Sequence, residues 1–238
     1  MKNCIIIGAS SGIGREAAEQ LLKAGNCVVL CGRRVELLQQ LHTAFPDLSH
    51  VVPLDVNNTE NTFDNLTGIF GYFDRVDLLL LTSGTGDLNA DLAWETEKLA
   101  IETNVSGFTA VVDGAFNLFK KQGFGHIAVV TSIAGLRGGA AAPAYNASKA
   151  FQINYLEAMR VKAEKMKLPL TITDIRAGLI DTAMAKGEGL FWVSPVQKAA
   201  SQILRAIWRK KRVVYVTKRW RYIAVLLKYL PYGLYSKI

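Results

Sequence analysis

The stretch "NCIIIGASSGIGREAAEQLLKAG", residues 3 to 25, decides the fold. A short apolar run from Cys4 to Ile7 enters a turn in which Gly8, Gly12 and Gly14 are spaced G-x-x-x-G-x-G, and a helix-like segment follows. Glycines allow the backbone to turn sharply and to approach a pyrophosphate with no Cβ in the way, and the helix N-terminus directs free N–H groups and partial positive charge at the phosphates. A glycine loop between a first strand and a first helix therefore predicts a dinucleotide site on Gly8, Ser10, Ser11, Gly12, Ile13 and Gly14.

The rest of the chain repeats the strand–helix rhythm. "CVVLCG", "VVPLDV", "VDLLLLTSG", "HIAVVTS", "LTITDIRAG" and "RVVYVT" are short apolar runs separated by segments long enough for helices. Their hydrophobicity is continuous, which requires strands covered on both faces. The expectation is an α/β fold: a single doubly wound Rossmann-type domain of about seven parallel strands with helices on both faces. A chain of 238 residues suits one core, assigned here to residues 1–217, with a basic aromatic extension at 218–238.

The formal charge of +8 is unevenly placed. Eleven cations and no acid follow Glu188, so the first 188 residues are net −3 and the basicity belongs to the end of the chain, which argues against a nucleic-acid partner. Three cysteines cannot all pair, and Cys27 and Cys31 on one strand would stand roughly 13 Å apart, beyond disulfide reach. With no basic leader before the first strand, a cytoplasmic protein is expected. Neither the cysteines nor His42, His50 and His126 show metal-ligand spacing; no metal is expected, the cysteines read as small buried hydrophobes, and the histidines as surface or strand-edge residues.

The second strand ends at "CGRR". Gly32 leaves room there, and Arg33 and Arg34 offer guanidinium groups that suit a ribose 2′-phosphate, so NADPH is expected over NADH. Further on, "YNASK" (145 to 149) sets Tyr145 one helical turn from Lys149. A phenol near the usual value of about 10 is a slow proton donor at neutral pH, and a neighbouring ammonium would lower it.

With the glycine loop, the tyrosine and the lysine in this order, the chain resembles the short-chain dehydrogenase/reductase family over roughly residues 3 to 217. "LDV" (54 to 56) resembles the turn where Asp55 and Val56 meet the adenine, "NVSG" (104 to 107) the motif of an active-site asparagine, and "VVTSIAG" (129 to 135) the strand end bearing an active-site serine. The resemblance implies a catalytic set of Asn104, Ser132, Tyr145 and Lys149, with Tyr145 as acid/base. Ser132 would bond the substrate oxygen, Lys149 the nicotinamide ribose as well as the phenol, and Asn104 a water linking Lys149 to solvent. In "LIDTAM" (179 to 184), Ile180 and Thr182 resemble the nicotinamide contacts. Two departures stand out. "LTSG" (81 to 84) replaces the usual Asn-Asn-Ala-Gly, which leaves support beside the cofactor in doubt, and Ala177-Gly178 replaces Pro-Gly.

The implied reaction interconverts a ketone or aldehyde and an alcohol. A catalytically silent NADPH-binding regulatory or scaffold protein is the alternative, disfavoured because a binding module needs no proton donor. In "GEGLFWVSP" (187 to 195), Leu190, Phe191, Trp192 and Val193 either line a pocket for a lipophilic substrate, opposite the Ala-rich 138 to 144, or simply pack a loop closed. The tail "KRWRYIAVLLKYLPYGLYSKI" (218 to 238) is broken by Lys228 and Pro231, too early for a membrane span. It reads as an arm over a neighbouring subunit of a homo-dimer or homo-tetramer or, second, as a segment lying peripherally on a membrane.

Overall fold

The computed structural model describes residues 1–185 and 191–237. Seven parallel strands form one sheet: β1 (Asn3–Ile7), β2 (Cys27–Gly32), β3 (Ser49–Pro53), β4 (Leu78–Leu81), β5 (Gly125–Ser132), β6 (Leu170–Ala177) and β7 (Val213–Val216), in the order β3-β2-β1-β4-β5-β6-β7. The expected third strand, 51 to 56, is displaced: pairing runs from Ser49 to Pro53, and Leu54 to Val56 turn away toward the site.

The helices are α1 (Gly12–Lys23), α2 (Val35–Ala44), α3 (Thr62–Phe70), α4 (Trp94–Ile101), α5 (Phe108–Gln122), α6 (Pro143–Lys165), α7 (Val196–Trp208), α8 (Trp220–Tyr229) and α9 (Tyr232–Tyr235). Alternation along β1 shows why the apolar runs are continuous. Cys4 and Ile6 join a core with α1 and α7, whereas Ile5 and Ile7 join one with α3, α5 and α6, because successive strand side chains point to opposite faces. Cys4 and Cys31 are fully buried, and burial pushes the Cys4 thiol up to about 12 and Cys31 higher still.

His126 departs from the surface or strand-edge expectation. It is 6% exposed on β5, its Nε2 2.8 Å from the Thr173 hydroxyl on β6. That hydroxyl donates its one hydrogen to the Lys211 carbonyl at 2.6 Å, so the imidazole must donate to it from Nε2. Burial, followed by the Lys210 charge, lowers the His126 pKa to about 4.

Strand order reverses between β1 and β4, which opens a crevice at the carboxyl ends of the strands. Into it project Gly8 after β1, Arg33 after β2, Asp55 after β3, Thr82 after β4, Ser132 closing β5 and Gly178 after β6. After β7 the chain returns to this end. Trp220 is 2% exposed against Gly178, and Arg137 donates to the Leu230 carbonyl at 3.0 Å, so α8 is fastened beside the crevice.

Candidate active site

One cavity of about 980 Å³ runs along the crevice. At one end lies the glycine loop. Gly8 has φ +96°, and a Cβ on it would stand 2.6 Å from the Ser83 nitrogen; a Cβ on Gly14 would stand 2.2 Å from the Gly8 carbonyl oxygen. The turn can therefore be this tight only with glycine at both positions. Helix α1 begins with no side-chain cap and no acid in its first turn, leaving its N–H groups and positive dipole end for an anion. Thr82 resolves the doubt about local support: its hydroxyl reaches the Ile7 and Gly8 carbonyls at 3.1 and 3.2 Å, so a threonine braces the loop.

Arg34 occupies the N-cap position of α2 and donates to Ser10 Oγ at 3.0 Å and Ser11 Oγ at 2.6 Å. Arg33 beside it is exposed. Arg34, Ser10 and Ser11 form one hydrogen-bonded cluster beside Gly32, and Arg33, adjacent to Arg34 in the chain, also lines the cavity. Asp55 accepts from the Asn57 N–H at 3.0 Å, fixing the turn that carries it and Val56 along the cavity wall. Thr182 faces the loop from across the cavity, its Cγ2 3.3 Å from where a Cβ of Gly12 would be. Ile180 is held by a bridge to Ser194. Every residue assigned to the cofactor from sequence lines this one cavity, and the tight glycine cradle, the uncapped helix and the arginine–serine cluster fit a nicotinamide dinucleotide.

Ser132, Tyr145 and Lys149 line the middle of the cavity. Ser132 caps the 3₁₀ turn Ile133–Leu136, its Oγ accepting the Ala134 N–H at 3.1 Å. The Lys149 ammonium lies 5.8 Å from the centre of the Tyr145 ring. The expected lowering of the tyrosine pKa is not found. Burial pushes the phenol above its ordinary value, with the hydrogen bond from Ser132 opposing, because desolvation penalises phenolate. Burial likewise brings Lys149 down to about 8, against the opposing charge of Asp174.

Asn104 does not line the cavity. It lies fully buried in a π-helical turn, Glu102–Gly107, between α4 and α5. Its side chain accepts the Thr85 N–H at 3.0 Å and donates to the Thr85 carbonyl at 2.7 Å and Ser148 Oγ at 3.1 Å, locking the loop after β4. The N–H of Phe108, which an α-helix would give to Asn104, goes instead to Thr103 and Val105. The Asn104 carbonyl accepts from Gln152 Nε2 at 2.9 Å, and Gln152 Oε1 accepts from Lys149 Nζ at 2.9 Å. A buried glutamine that sequence reasoning missed thus connects the Asn104 carbonyl to Lys149, although residues 145, 149 and 152 share one helix face.

Of the two readings of the aromatic stretch, packing is the one seen for Phe191 and Trp192. Leu190 lies outside the described residues. Phe191, Trp192 and Val193 are absent from the cavity wall; the rings of Phe191 and Trp192 pack against Trp220, the first tilted at 5.2 Å and the second edge-on at 6.0 Å. The apolar wall is supplied by Leu88, Leu99, Leu179, Met184, Trp220 and Leu227. The last two come from the tail, whose distance in sequence concealed them.

Known proteins bear directly on this geometry. The family model described as short chain dehydrogenase matches residues 2–190. The chain belongs to the short-chain dehydrogenase/reductase family. It is 34% identical over 165 residues to an uncharacterized oxidoreductase of Myxococcus xanthus, a match spanning 67% of this chain and 65% of that one. It is 33% identical over 193 residues to an uncharacterized oxidoreductase of Mycobacterium tuberculosis, 76% and 74% of the two chains. Dehydrogenase/reductase SDR family member 7B of Bos taurus is 28% identical over 98% of this chain and 79% of its own. Among solved structures, a short chain dehydrogenase/reductase from Burkholderia phymatum in complex with NAD superposes with a TM-score of 0.84 at 18% identity, covering 94% and 92% of the chains. An alcohol dehydrogenase from Thermococcus sibiricus complexed with 5-hydroxy-NADP gives 0.77 at 22%, covering 90% and 94%. As a member of this family the protein is an NAD(P)-dependent oxidoreductase acting on CH–OH and C=O groups.

Proposed function

We propose that this short-chain dehydrogenase/reductase interconverts a lipophilic ketone or aldehyde and its alcohol, prefers NADPH over NADH, and uses Tyr145 as the acid/base. The observation that carries the reading is that the glycine loop and the Ser132, Tyr145 and Lys149 side chains line the same cavity. A bound nicotinamide dinucleotide would supply or accept the hydride. Ser132 holds the substrate oxygen, and Tyr145 gives its phenolic proton to that oxygen as the carbonyl is reduced, or takes it back in the reverse direction. Burial keeps Tyr145 protonated until negative charge develops beside it, which suits a donor. Lys149, fastened by Gln152, keeps positive charge near the phenol; after the transfer it gives its proton to the phenolate and takes one back from solvent in the cavity. The Leu88, Leu99, Met184 and Leu227 wall favours an apolar substrate.

NADPH preference is supported by Arg34 on Ser10 and Ser11 with Arg33 alongside. The same reading takes the protein as a homo-dimer or homo-tetramer of the cytoplasm, an assignment supported by its family and its three free cysteines. The test is turnover of a panel of carbonyl compounds, with titration of both cofactors. Tyr145→Phe should bind NADPH normally and lose nearly all hydride transfer. Arg33→Ala should narrow the cofactor preference about ten-fold or more, as expected for one charge-assisted contact. Near-normal turnover by Tyr145→Phe would remove the proposed acid; no turnover with any carbonyl by a parent that binds NADPH would favour the silent binding protein.

A further inference from the structure

Helix α8 is apolar on two opposite sides. Trp220, Ile223, Ala224 and Leu227 follow helical spacing and face the protein, with Trp220 and Ala224 each 2% exposed. Tyr222, Val225, Leu226 and Tyr229 repeat the same spacing on the outer side and are 77%, 52%, 56% and 72% exposed. Tyr232 and Leu234 on α9, which follows α8 directly, are likewise 78% and 58% exposed. A surface helix ordinarily turns polar residues outward, and one that is apolar all round is ordinarily buried.

The patch has a fixed place. Arg137 donates to the Leu230 carbonyl and Tyr235 donates to the Gly138 carbonyl at 2.6 Å, so the tail is tied to the segment between Ser132 and Tyr145. Leu227 lines the cavity from the other side of the same helix. The outer stripe therefore flanks the substrate end of the active site.

Charge selects the occupant. Residues 218 to 238 carry Lys218, Arg219, Arg221, Lys228 and Lys237 and no acid. Arg219 holds the Trp192 carbonyl at 2.8 Å, and among the described residues Lys218, Arg221, Lys228 and Lys237 are in no ion pair. A second copy docked on this patch by two-fold symmetry would set this basic segment against itself, cation facing cation, with no acid in the segment to relieve it. Exposed tyrosines and leucines between unpaired cations are instead complementary to the headgroup region of an anionic bilayer. We propose that the outer face of α8 and α9 docks on an anionic membrane surface, as a peripheral contact, and holds the substrate end of the cavity at the lipid boundary. Among the described residues no helix is long and apolar enough to cross a membrane. The contact deepens the reading of a lipophilic substrate and rests on it only for the benefit to turnover.

The experiment floats the full chain with vesicles of phosphatidylcholine alone and of phosphatidylcholine mixed with phosphatidylglycerol. The parent should bind the mixed vesicles at least about ten-fold better, since each cation near such a surface contributes about five-fold. The paired substitution Leu226→Glu and Tyr229→Glu should abolish flotation while leaving turnover of a water-soluble carbonyl unchanged. Should that variant fail to fold, Lys218→Gln with Lys228→Gln, both at exposed positions, should still lower binding to mixed vesicles by about ten-fold or more. Equal binding to both vesicle types, or binding untouched by either variant, overturns the proposal. So does a parent that never floats and whose mass in solution drops to a monomer with the paired glutamates, which would assign the patch to a second copy. Absence of turnover would sink the proposed reaction and leave flotation readable.

Discussion

Gln152 carries the most weight for its size. It is 1% exposed, and its amide is spent on Lys149 and Asn104, so it acts through the lysine as a positioning residue. Burial has already lowered Lys149 to about 8, and the amide oxygen is a neutral acceptor that favours the charged form. Removing it in Gln152→Leu should lower the lysine pKa further, by about one to two units for a hydrogen bond to a charged group. If Lys149 must be charged, activity is lost as pH rises through its pKa. The basic limb of the pH–kcat profile should therefore move to lower pH in Gln152→Leu, and to higher pH in Gln152→Glu. A limb unmoved in both variants would make Gln152 a packing residue. The tyrosine–lysine pair is legible in "YNASK" because i and i+4 are neighbours on any helix. Its electrostatics are not, because the sign of the tyrosine shift depends on how much water the fold excludes.

Among the elements, β5 and β6 carry a titratable group the reaction does not use. His126 is neutral in the folded chain down to about 4, whereas the unfolded chain takes up a proton near 6.5. The unfolded state therefore binds more protons between these values, so the stabilising contribution is intact above about 6.5 and is lost progressively as pH falls toward 4. The loss is on the order of 2–3 kcal/mol. Denaturant unfolding of His126→Asn should be flatter than the parent's across pH 6.5 to 4 by about that amount, and parallel curves would refute the assignment. The π-helical turn at Glu102–Gly107 is another element-scale feature that could not be read in advance. "ETNVSG" sits inside an unbroken helical stretch, and the shift in hydrogen-bond partner that presents the Asn104 carbonyl to Gln152 leaves no mark on residue type.

For the molecule as a whole, Trp220 joins the last twenty residues to the site. Its ring lies where a Cβ on Gly178 would be, 2.3 Å away, so the Ala177-Gly178 pair after β6 accommodates the tail as well as the cofactor end of the loop. Trp220→Ala leaves a cavity under α8, and substitutions of this size cost about 3–5 kcal/mol. Thermal unfolding should occur roughly 10 °C lower at the cost-to-temperature ratio of a domain this long. KM for an apolar carbonyl should rise more than the Kd for NADPH, since Trp220 and Leu227 line the substrate end and the glycine loop lies at the other. A loss of less than about 1 kcal/mol would show that the tail is held elsewhere.

What the sequence determined alone is whatever depends on local spacing. Continuous apolar runs imposed a two-sided parallel sheet, and the glycine loop after the first of them marked the crevice where strand order reverses. The fourfold step from Tyr145 to Lys149 set two side chains on one face. Tertiary structure decided what depends on residues far apart in the chain. It brought Trp220 and Leu227 to a cavity whose glycine loop begins at residue 8, packed Phe191 and Trp192 on Trp220 instead of along that cavity, and buried His126 against the Thr173 hydroxyl. It also left one side of α8 covered and the other bare. Periodicity reports how many apolar faces a helix has, but which of them meets the protein is settled only when the chain folds back on itself.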